Sequence, residues 1–387
     1  KGQIIVLTGQ RRVGKSYILR DFLERHKEDM QTNFIYINKE RKKFDAIKNN
    51  EQLNAYIDEH WVEGLHNFIL IDEVQEIESW EKSVRSYRTE EDTDIIITGS
   101  NSKMLSSELS TLIGGRYHEI YVQSLSYQEF LLFHELEDND DALSKYINYG
   151  GLPGLKQVGL DDEEFVWDYI RAVFHTVMLK DIVERNNIRN VSFLNTLLRY
   201  FADTIGKLSS LNNISKFMKS QGLDVSVKSI AAYLNYFRDA YLLLTVDRFD
   251  IHGKKLLESN EKIYFGDVGL RNLIAGGERQ GDIEKILENI VYQQLVRMGY
   301  AVSVGQLRAG EVDFVCTKSN ERLYVQVAYL IASEETEERE FGSLDNIKDN
   351  YPKYVISMNP LVRRSDRQGV IHLGLREFLK NGFEKKL

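Results

Sequence analysis

The sequence has one cysteine and three prolines in 387 residues, and each shortage excludes a class of protein. A lone Cys316 cannot form an intrachain disulfide or build a cysteine-rich metal site, and it fits the reducing, cytoplasmic location that we expect. With only three prolines and 26 glycines, the composition excludes collagen, and with 42% apolar residues it excludes low-complexity disorder. No run of about 18 apolar residues occurs, so we expect no membrane-spanning segment.

An excess of basic residues is also missing. The 50 lysines and arginines are outnumbered by 59 aspartates and glutamates, which gives a formal charge of −9. A uniformly basic, nucleic-acid-coating protein is therefore excluded, and any nucleic-acid site must be a local patch. At about 150 residues per domain, the length predicts two or three domains.

The strongest motif lies at the beginning of the chain. Residues 3–8 (QIIVLT) are an apolar run that predicts a strand buried on both faces of a parallel sheet. Residues 9–16 (GQRRVGKS) match Gly-x4-Gly-Lys-Ser, and YILRDFLERHK then has the spacing of an amphipathic helix. Strand, glycine-containing loop and helix in this order predict a phosphate-binding loop rather than a chance glycine turn.

The residue types in this loop suit phosphate chemistry. Gly9 and Gly14 permit a positive φ and a close approach, so that backbone N–H groups at a helix N-terminus can surround phosphate oxygens. Lys15 can reach the β- and γ-phosphates, and Ser16 can hold Mg²⁺. The candidate nucleotide-binding residues are Gly9, Gln10, Arg11, Arg12, Val13, Gly14, Lys15, Ser16 and Tyr17.

Candidate catalytic groups follow two later apolar strands. Residues 68–73 read FILIDE, so Asp72 at the strand end can hold Mg²⁺ and Glu73 can activate the attacking water, which favours hydrolysis over nucleotide storage. The strand at 94–98 leads to Ser100 and Asn101. Either of these side chains can sense the γ-phosphate or align the water, and the sequence does not choose between them.

One arginine is a candidate for neutralising charge in the transition state. Arg116 follows two glycines and precedes a strand-like segment, residues 118–124. It can act as an arginine finger within its own subunit or in a neighbouring one. The alternative is an arginine that pairs with a surface carboxylate.

These segments together resemble prokaryotic AAA-type ATPases whose C-terminal domain of unknown function has a nuclease-like fold. The matching segments are GQRRVGKS, FILIDEVQ, TGSNS, LIGGRYHEIYVQSLSYQEF, YINYGGLPG, VMLKDIVERNNI and EVDFV. The resemblance implies ATP and Mg²⁺ as cofactors. It also implies an α/β fold, in which an AAA-like P-loop NTPase core with a parallel sheet is followed by a helical lid, a winged helix and an α/β restriction-endonuclease-like domain. We predict the boundaries of these four parts at residues 1–125, 126–184, 185–270 and 271–387.

The winged-helix segment is a candidate for binding double-stranded DNA. Helical patterns at 193–205, 210–221 and 226–240 precede two strand-like segments, which is a helix-turn-helix followed by a β-ribbon. Residues 185–238 carry eight basic and two acidic side chains, a net charge of +6 in an acidic protein. Candidate groove-facing residues are Ser226, Lys228, Ser229 and Tyr233. The alternative is a winged helix used only for packing or for protein contacts.

The C-terminal segment resembles an endonuclease core that has lost part of its site. Glu288 on a predicted helix and Asp313 on a predicted strand match the first two positions of the motif. Gln326 stands where the family has an acid, and Ala328 stands where it has a lysine. These changes remove a negative metal ligand and the charge that would stabilise a developing oxyanion, so we predict no nuclease activity.

The sequence therefore predicts a Mg²⁺-dependent ATPase whose cycle drives or gates a conformational change of the winged-helix and inactive-nuclease segments. The alternative is a nucleotide-gated binding switch or scaffold with slow turnover and a protein partner. Oligomerisation is compatible with both alternatives.

Overall fold

A computed structural model describes residues 4–102, 117–277, 280–308, 310–359, 364–367 and 369–384. The chain divides into two compact units. The first comprises Lys1–Gln123, Leu179–Arg185 and Asp239–Tyr241, and the second comprises Ser124–Met178, Asn186–Arg238 and Leu242–Leu387. The segment predicted as a lid, 126–184, is thus shared between the two units.

The first unit is built on a five-stranded parallel sheet. Its strands are β1 (Ile4–Thr8), β2 (Thr32–Asn38), β3 (His66–Asp72), β4 (Thr93–Gly99) and β5 (Tyr117–Tyr121), in the order β2-β3-β4-β1-β5. Because all neighbours are parallel, the carboxyl ends of the five strands lie at one edge of the sheet. Of these strands, β2 was not among those predicted.

The apolar strands are buried on both faces, as a parallel sheet requires. Helices α1 (Lys15–His26), α2 (Asn50–His60) and α3 (Trp80–Tyr87) alternate with strands β1 to β4 along the chain. Alternate residues of the same strands enter different clusters: Ile69 and Ile71 join one core, whereas Leu70 packs with Leu7, Leu19 and Ile96 in another. This alternation explains why the strand sequences read as continuous apolar runs.

Helices form much of the second unit. Those described are α4 (Tyr127–His134), α5 (Asp140–Tyr149), α6 (Leu155–Val158), α7 (Glu163–Thr176), α8 (Val191–Asp203), α9 (Leu211–Ser220), α10 (Val227–Asp239), α11 (Val268–Ala275), α12 (Ile283–Arg297), α13 (Glu334–Asp345) and α14 (Leu375–Asn381). A π-helix, Val177–Glu184, follows α7 directly. No helix among the described residues combines the length and apolarity needed to cross a membrane.

The second unit also holds a nine-stranded mixed sheet. Its strands are β6 (Leu208–Ser209), β7 (Leu243–Asp250), β8 (Lys255–Phe265), β9 (Ala301–Leu307), β10 (Gly310–Lys318), β11 (Glu321–Ala328), β12 (Lys353–Ser357), β13 (Arg364–Arg367) and β14 (Val370–Gly374). Their order is β13-β14-β12-β11-β10-β9-β7-β8-β6. The predicted β-ribbon corresponds to β7 and β8.

This sheet continues across residue 270, where we predicted a domain boundary. Strand β7 pairs in parallel with β9, and Phe249 lies opposite Gly305. A Cβ atom on Gly305 would lie 2.9 Å from side-chain atoms of Ile251 and Val315, so a glycine allows the close packing at this junction. The β-ribbon and the C-terminal strands therefore form one continuous hydrogen-bonded layer.

Candidate functional site

The predicted phosphate loop leaves the carboxyl end of β1 and enters α1. Gly9 has a φ of 139°, and a Cβ atom there would lie 2.1 Å from the carbonyl oxygen of Val122. The backbone N–H of Val122 donates to the carbonyl oxygen of Thr8 at 2.8 Å, which holds the two segments together. Gly14, with a φ of 105°, caps α1. Both glycines therefore stand where a side chain would strain or block the loop.

Lys15 is buried at the beginning of α1, with 4% of its surface exposed. Its Nζ donates to the carbonyl oxygens of Gly9 and Gln10, each at 2.9 Å. Burial lowers the pKa of Lys15, and the Glu73 carboxylate opposes this shift. The ammonium is thus held over the loop by carbonyl groups, and an anionic phosphate would be a stronger partner for it.

Ser16 and Asp72 are brought together by α1 and β3. The Ser16 hydroxyl donates to Asp72 Oδ1 at 3.0 Å, and the Thr98 hydroxyl donates to the same oxygen at 2.7 Å. Asn38 Nδ2 donates to Asp72 Oδ2 at 2.8 Å. Burial raises the pKa of Asp72, whereas the hydrogen bonds from Thr98 and Ser16 oppose the shift. The result is a half-buried hydroxyl beside a buried carboxylate, next to the phosphate loop.

Glu73 follows Asp72 in a left-handed conformation, with a φ of 58°. Its backbone N–H donates to the Thr98 hydroxyl oxygen at 3.0 Å, and this turn separates the directions of the two adjacent carboxylates. The Ser100 hydroxyl lies 3.2 Å from Glu73 Oε2, and Gln75 donates to the same oxygen. Asn101, the other candidate at this turn, is buried. The geometry therefore places Ser100 directly on Glu73.

Arg11 occupies the centre of this group of side chains. Its Nε and Nη2 donate to the two carboxylate oxygens of Asp181 at 2.8 and 2.9 Å. Its Nη1 donates to Glu40 at 3.3 Å, and Nη2 lies 3.8 Å from Glu73 Oε2. The Ser100 hydroxyl is also 3.3 Å from Asp181 Oδ1.

The remaining predicted residues of this site differ in exposure. Arg12, with a φ of 71°, is exposed, whereas Val13 is buried. Tyr17 is 64% exposed, and the Arg20 guanidinium lies 5.3 Å from its ring centre. Arg116 lies outside the described residues, so its role stays a prediction.

Asn38, Thr98 and Asp181 were missed by the sequence reasoning. Asn38 and Thr98 stand at or near the carboxyl ends of β2 and β4, and parallel strands bring such positions to one edge. That signal could have found both residues. Asp181 is 170 residues from Arg11 in sequence, and no local pattern links them.

The second candidate site, around Glu288 and Asp313, is filled by a lysine. Lys262 on β8 is 2% exposed, and its Nζ lies 2.7 Å from Glu288 Oε1, 2.8 Å from Glu311 Oε1 and 3.3 Å from Asp313 Oδ1. The Tyr264 hydroxyl donates to Glu288 Oε1 at 2.6 Å. Burial would lower the pKa of Lys262, but the three carboxylates outweigh it and raise that pKa above its ordinary value. A single ammonium group thus shares its charge among three carboxylates.

Gln326 participates in the same network without a charge. Its Oε1 accepts from the backbone N–H of Asp313 at 3.2 Å, and its Nε2 donates to Glu340 at 3.1 Å. The other oxygen of Asp313 accepts from the backbone N–H of Val327 at 2.9 Å.

Burial and the nearby Asp313 carboxylate raise the pKa of Glu288 to about 7. No group of three or more acidic, histidine or cysteine side chains in the described parts of the chain is arranged to hold a metal ion.

The basic segment at 185–238 presents most of its charge to solvent. Its exposed basic residues are Arg189, Arg199, Lys207, Lys216, Lys219, Lys228 and Arg238. Two of the four candidate groove residues have structural roles, because Ser226 accepts from the backbone N–H of Ser229 at 3.1 Å and the Tyr233 ring packs on Phe193. Lys228 is exposed near the beginning of α10.

Comparison with known families places two models on the chain. A model described as an AAA domain matches residues 1–131, and a model of a domain of unknown function, DUF8612, matches residues 140–280. The predicted AAA-type P-loop core is therefore confirmed. The winged-helix and nuclease-like assignments stay predictions.

Two relatives match most of the chain. An uncharacterised protein of Haemophilus influenzae is 36% identical over 362 residues, which cover 92% of this chain and 88% of the relative. The uncharacterised protein MJ1544 of Methanocaldococcus jannaschii is 30% identical over 367 residues, which cover 90% of this chain and 79% of the relative.

Among solved structures, the Walker-type ATPase PABY2304 of Pyrococcus abyssi aligns with a TM-score of 0.51 at 15% identity, covering 70% of this chain and 90% of that one. This structural likeness concerns the fold alone.

Proposed function

We propose that this chain, which belongs to the family of these Haemophilus influenzae and Methanocaldococcus jannaschii proteins and carries an AAA domain, binds ATP with Mg²⁺ and hydrolyses it. The main support is the contact between the Ser16 hydroxyl and Asp72 Oδ1 at 3.0 Å, beside Lys15 and Glu73. A hydroxyl and a buried carboxylate are the donors that P-loop NTPases offer to Mg²⁺. The choice of ATP rests on the AAA family.

The described residues of the loop fit a bound nucleotide. Both polar atoms of the buried Gln10 amide lack a hydrogen-bond partner among the described residues, whereas Lys15 in the same loop pairs with backbone carbonyl groups. Such a buried unpaired amide is costly unless a ligand or water satisfies it. We propose that the loop from Gly9 to Tyr17 surrounds the phosphates.

Each catalytic group has a defined task in this proposal. Lys15 binds the phosphates, and Ser16 and Asp72 hold Mg²⁺, which neutralises charge that develops on the phosphate oxygens. Glu73 orients the attacking water and accepts its proton, while the Ser100 hydroxyl fixes the Glu73 carboxylate at 3.2 Å. Asn101 and Arg116 remain candidates for sensing the γ-phosphate and for stabilising the transition state, Arg116 within one subunit or between subunits.

Nucleotide binding can be tested directly with Lys15→Ala. We expect this variant to bind a fluorescent ATP analogue with Mg²⁺ at least about tenfold more weakly than the wild type, because a charge-assisted contact to phosphate is lost. Equilibrium titration measures the change. Lys27→Ala is the matched control, since Lys27 is exposed and pairs with Glu24 just after α1. Equal affinity of Lys15→Ala and the wild type would contradict the assignment.

We further propose that turnover drives or gates a change in the segments predicted as a lid, a winged helix and an inactive nuclease domain. A nucleotide-gated switch with slow turnover and a protein partner is the alternative, and both fit an oligomer. Nuclease chemistry is not part of the proposal. Gln326 supplies no charge, Ala328 supplies no positive charge to stabilise a developing oxyanion, and the Lys262 ammonium already contacts the Glu288 and Asp313 carboxylates.

Double-stranded DNA is the second proposed ligand, because seven exposed basic side chains lie within residues 189–238. We expect the protein to shift a duplex at about 50 mM salt, with an affinity that falls steeply as salt is raised. Lys228→Glu should weaken this binding and reduce the salt slope by about 1 or more. Lys348→Glu is the charge-matched control on an exposed lysine outside the basic segment. No shift at low salt, with or without nucleotide, would refute DNA binding.

A further inference from the structure

The phosphate loop contains an arginine whose charge is already neutralised inside the first unit. Arg11 is 9% exposed, and its guanidinium forms a bidentate pair with Asp181, at 2.8 and 2.9 Å. Parallel bidentate pairs are the strongest arrangement of arginine and carboxylate. Glu40 makes a further contact at 3.3 Å, but 49% of its side chain is exposed, so solvent screens that pair.

Asp181 connects Arg11 to the catalytic groups. Its side chain is 1% exposed, and the Ser100 hydroxyl that contacts Glu73 at 3.2 Å also lies 3.3 Å from Asp181 Oδ1. Arg185, four residues later, lies 3.5 Å from the same carboxylate. Asp181 therefore receives hydrogen bonds or charge contacts from the phosphate loop and from the strand end that holds Ser100.

The element that carries Asp181 is unusual. It is a π-helix, Val177–Glu184, and π-helical turns are rare and frequently lie at functional sites. Only residues 179–185 of this region belong to the first unit, whereas the chain before and after them belongs to the second. The Arg11–Asp181 pair thus connects this short segment to the phosphate loop within the first unit.

Arg11 is also placed to recognise a phosphate. It lies in the loop between Gly9 and Lys15, two residues after the glycine that begins the loop. A guanidinium group binds a phosphate and a carboxylate with the same planar, two-pronged geometry. Asp181 occupies the Nε–Nη2 edge of the guanidinium, which leaves the Nη1–Nη2 edge for a phosphate. Because Arg11 carries a single positive charge and Asp181 is buried, a phosphate on that edge repels the Asp181 carboxylate and competes with it for the charge.

We propose that the terminal phosphate of a bound nucleoside triphosphate displaces Asp181 from Arg11, and that this exchange releases the π-helical segment 177–184. The inference rests on the proposed ATP binding. Arg11 then binds the terminal phosphate of the triphosphate. Asp181 acts as a positioning residue, because its displacement from Arg11 changes the segment 177–184 only when the γ-phosphate is present. A diphosphate lacks the competing group and leaves the Arg11–Asp181 pair in place.

The affinity ratio of ATP to ADP tests this exchange, measured with Mg²⁺ and with a non-hydrolysable ATP analogue. Arg11→Ala should lower the preference for the triphosphate about tenfold, because one charge-assisted contact to the terminal phosphate is lost. Asp181→Asn removes the competing charge and should raise the preference about fivefold, chiefly by tightening triphosphate binding. In the Arg11→Ala background, Asp181→Asn should have no further effect on the ratio.

Glu40→Gln is the matched control, since Glu40 is the exposed carboxylate on the same guanidinium. We expect it to change the ratio by less than about twofold. If Asp181 were only structural, Asp181→Asn would weaken ATP and ADP equally or would lower thermal stability without changing the ratio. Either result would overturn the proposal.

Amide hydrogen exchange of the wild-type protein provides a test that does not depend on any variant folding. Exchange within residues 177–184 should rise with the triphosphate analogue and stay at the ligand-free rate with ADP. Unchanged or slower exchange with the triphosphate would overturn the inference. If the wild type bound neither nucleotide, the proposed function itself would fail, so the two failures can be told apart.

Discussion

Glu73→Gln should lower ATP turnover about 10²- to 10⁴-fold while nucleotide affinity stays within about twofold of the wild type. The amide has the shape of the carboxylate, and it can still accept a hydrogen bond from Ser100 at the present 3.2 Å separation. It cannot accept a proton from the attacking water. Phosphate release measures turnover, and titration with a fluorescent ATP analogue measures affinity on the same preparation.

The Glu73→Gln substitution should leave the main-chain conformation at residue 73 unchanged. Its φ of 58° and the hydrogen bond from its N–H to Thr98 belong to the main chain and do not depend on the side-chain charge. Glu76→Gln, in the turn that follows, is the matched control because Glu76 is exposed. We expect that control to turn over at the wild-type rate.

A Glu73→Gln variant that hydrolyses ATP at the wild-type rate would show that Glu73 is not the base. Asp181, which shares the Ser100 hydroxyl with Glu73, would then be the nearest alternative carboxylate. Lys15→Ala, measured in parallel, identifies hydrolysis by a contaminating enzyme, because it should remove only the turnover that depends on this phosphate loop.

The phosphate loop and its partners were predictable because short-range sequence patterns determine them. The order of β1, loop and α1 follows from an apolar run, two glycines and an amphipathic pattern. Asp72 follows from the end of a second apolar run. Parallel strands then bring Ser16 and Asp72 to one edge of the sheet, where the structure places them 3.0 Å apart. Strand β2 was missed, since its sequence TNFIYIN mixes polar and apolar residues at both faces.

Long-range charge pairing was not predictable from the same patterns. Asp181 lies in a sequence with a helical pattern, in which a charged side chain is expected to face solvent. In the structure this segment is a π-helix, and the Asp181 carboxylate contacts Arg11. Lys262 lies in a segment that the sequence predicts only as strand-like, and the changes at Gln326 and Ala328 predict only the loss of a metal ligand and of an oxyanion-stabilising charge. The pairing of β7 with β9, which joins the ribbon of β7 and β8 to the C-terminal sheet, is not visible in either segment alone.

Replacing that buried lysine should have the largest effect on stability. Lys262→Met is expected to destabilise the second unit by about 3–5 kcal/mol, because it leaves buried carboxylates without their counter-charge. Glu288 and Asp313 are both largely buried and would lose the ammonium that is their counter-charge. Urea unfolding, monitored by hydrogen exchange of the α12 amides, measures the loss of unfolding free energy within this unit. Lys255→Met is the matched control on the same strand, where the side chain is exposed.

The destabilisation should depend on pH in a defined direction. Burial and Asp313 already raise the pKa of Glu288 from 4.5 to about 7 with Lys262 present, and removing the ammonium raises it further. A carboxyl group with a raised folded-state pKa binds more protons in the folded than in the unfolded protein, so stability falls as pH rises above 4.5. Lys262→Met should therefore lose more stability at pH 8 than at pH 5.

A second substitution separates charge from packing in this prediction. Lys262→Met combined with Glu288→Gln removes one of the unpaired carboxylates, and the Tyr264 hydroxyl can still donate to the amide oxygen that replaces Glu288 Oε1. The double variant should therefore recover part of the lost stability at pH 8 and little at pH 5, where protonation has already relieved the repulsion. Equal losses at both pH values, with no recovery in the double variant, would show that Lys262 contributes through the packing of its alkyl chain rather than through its charge.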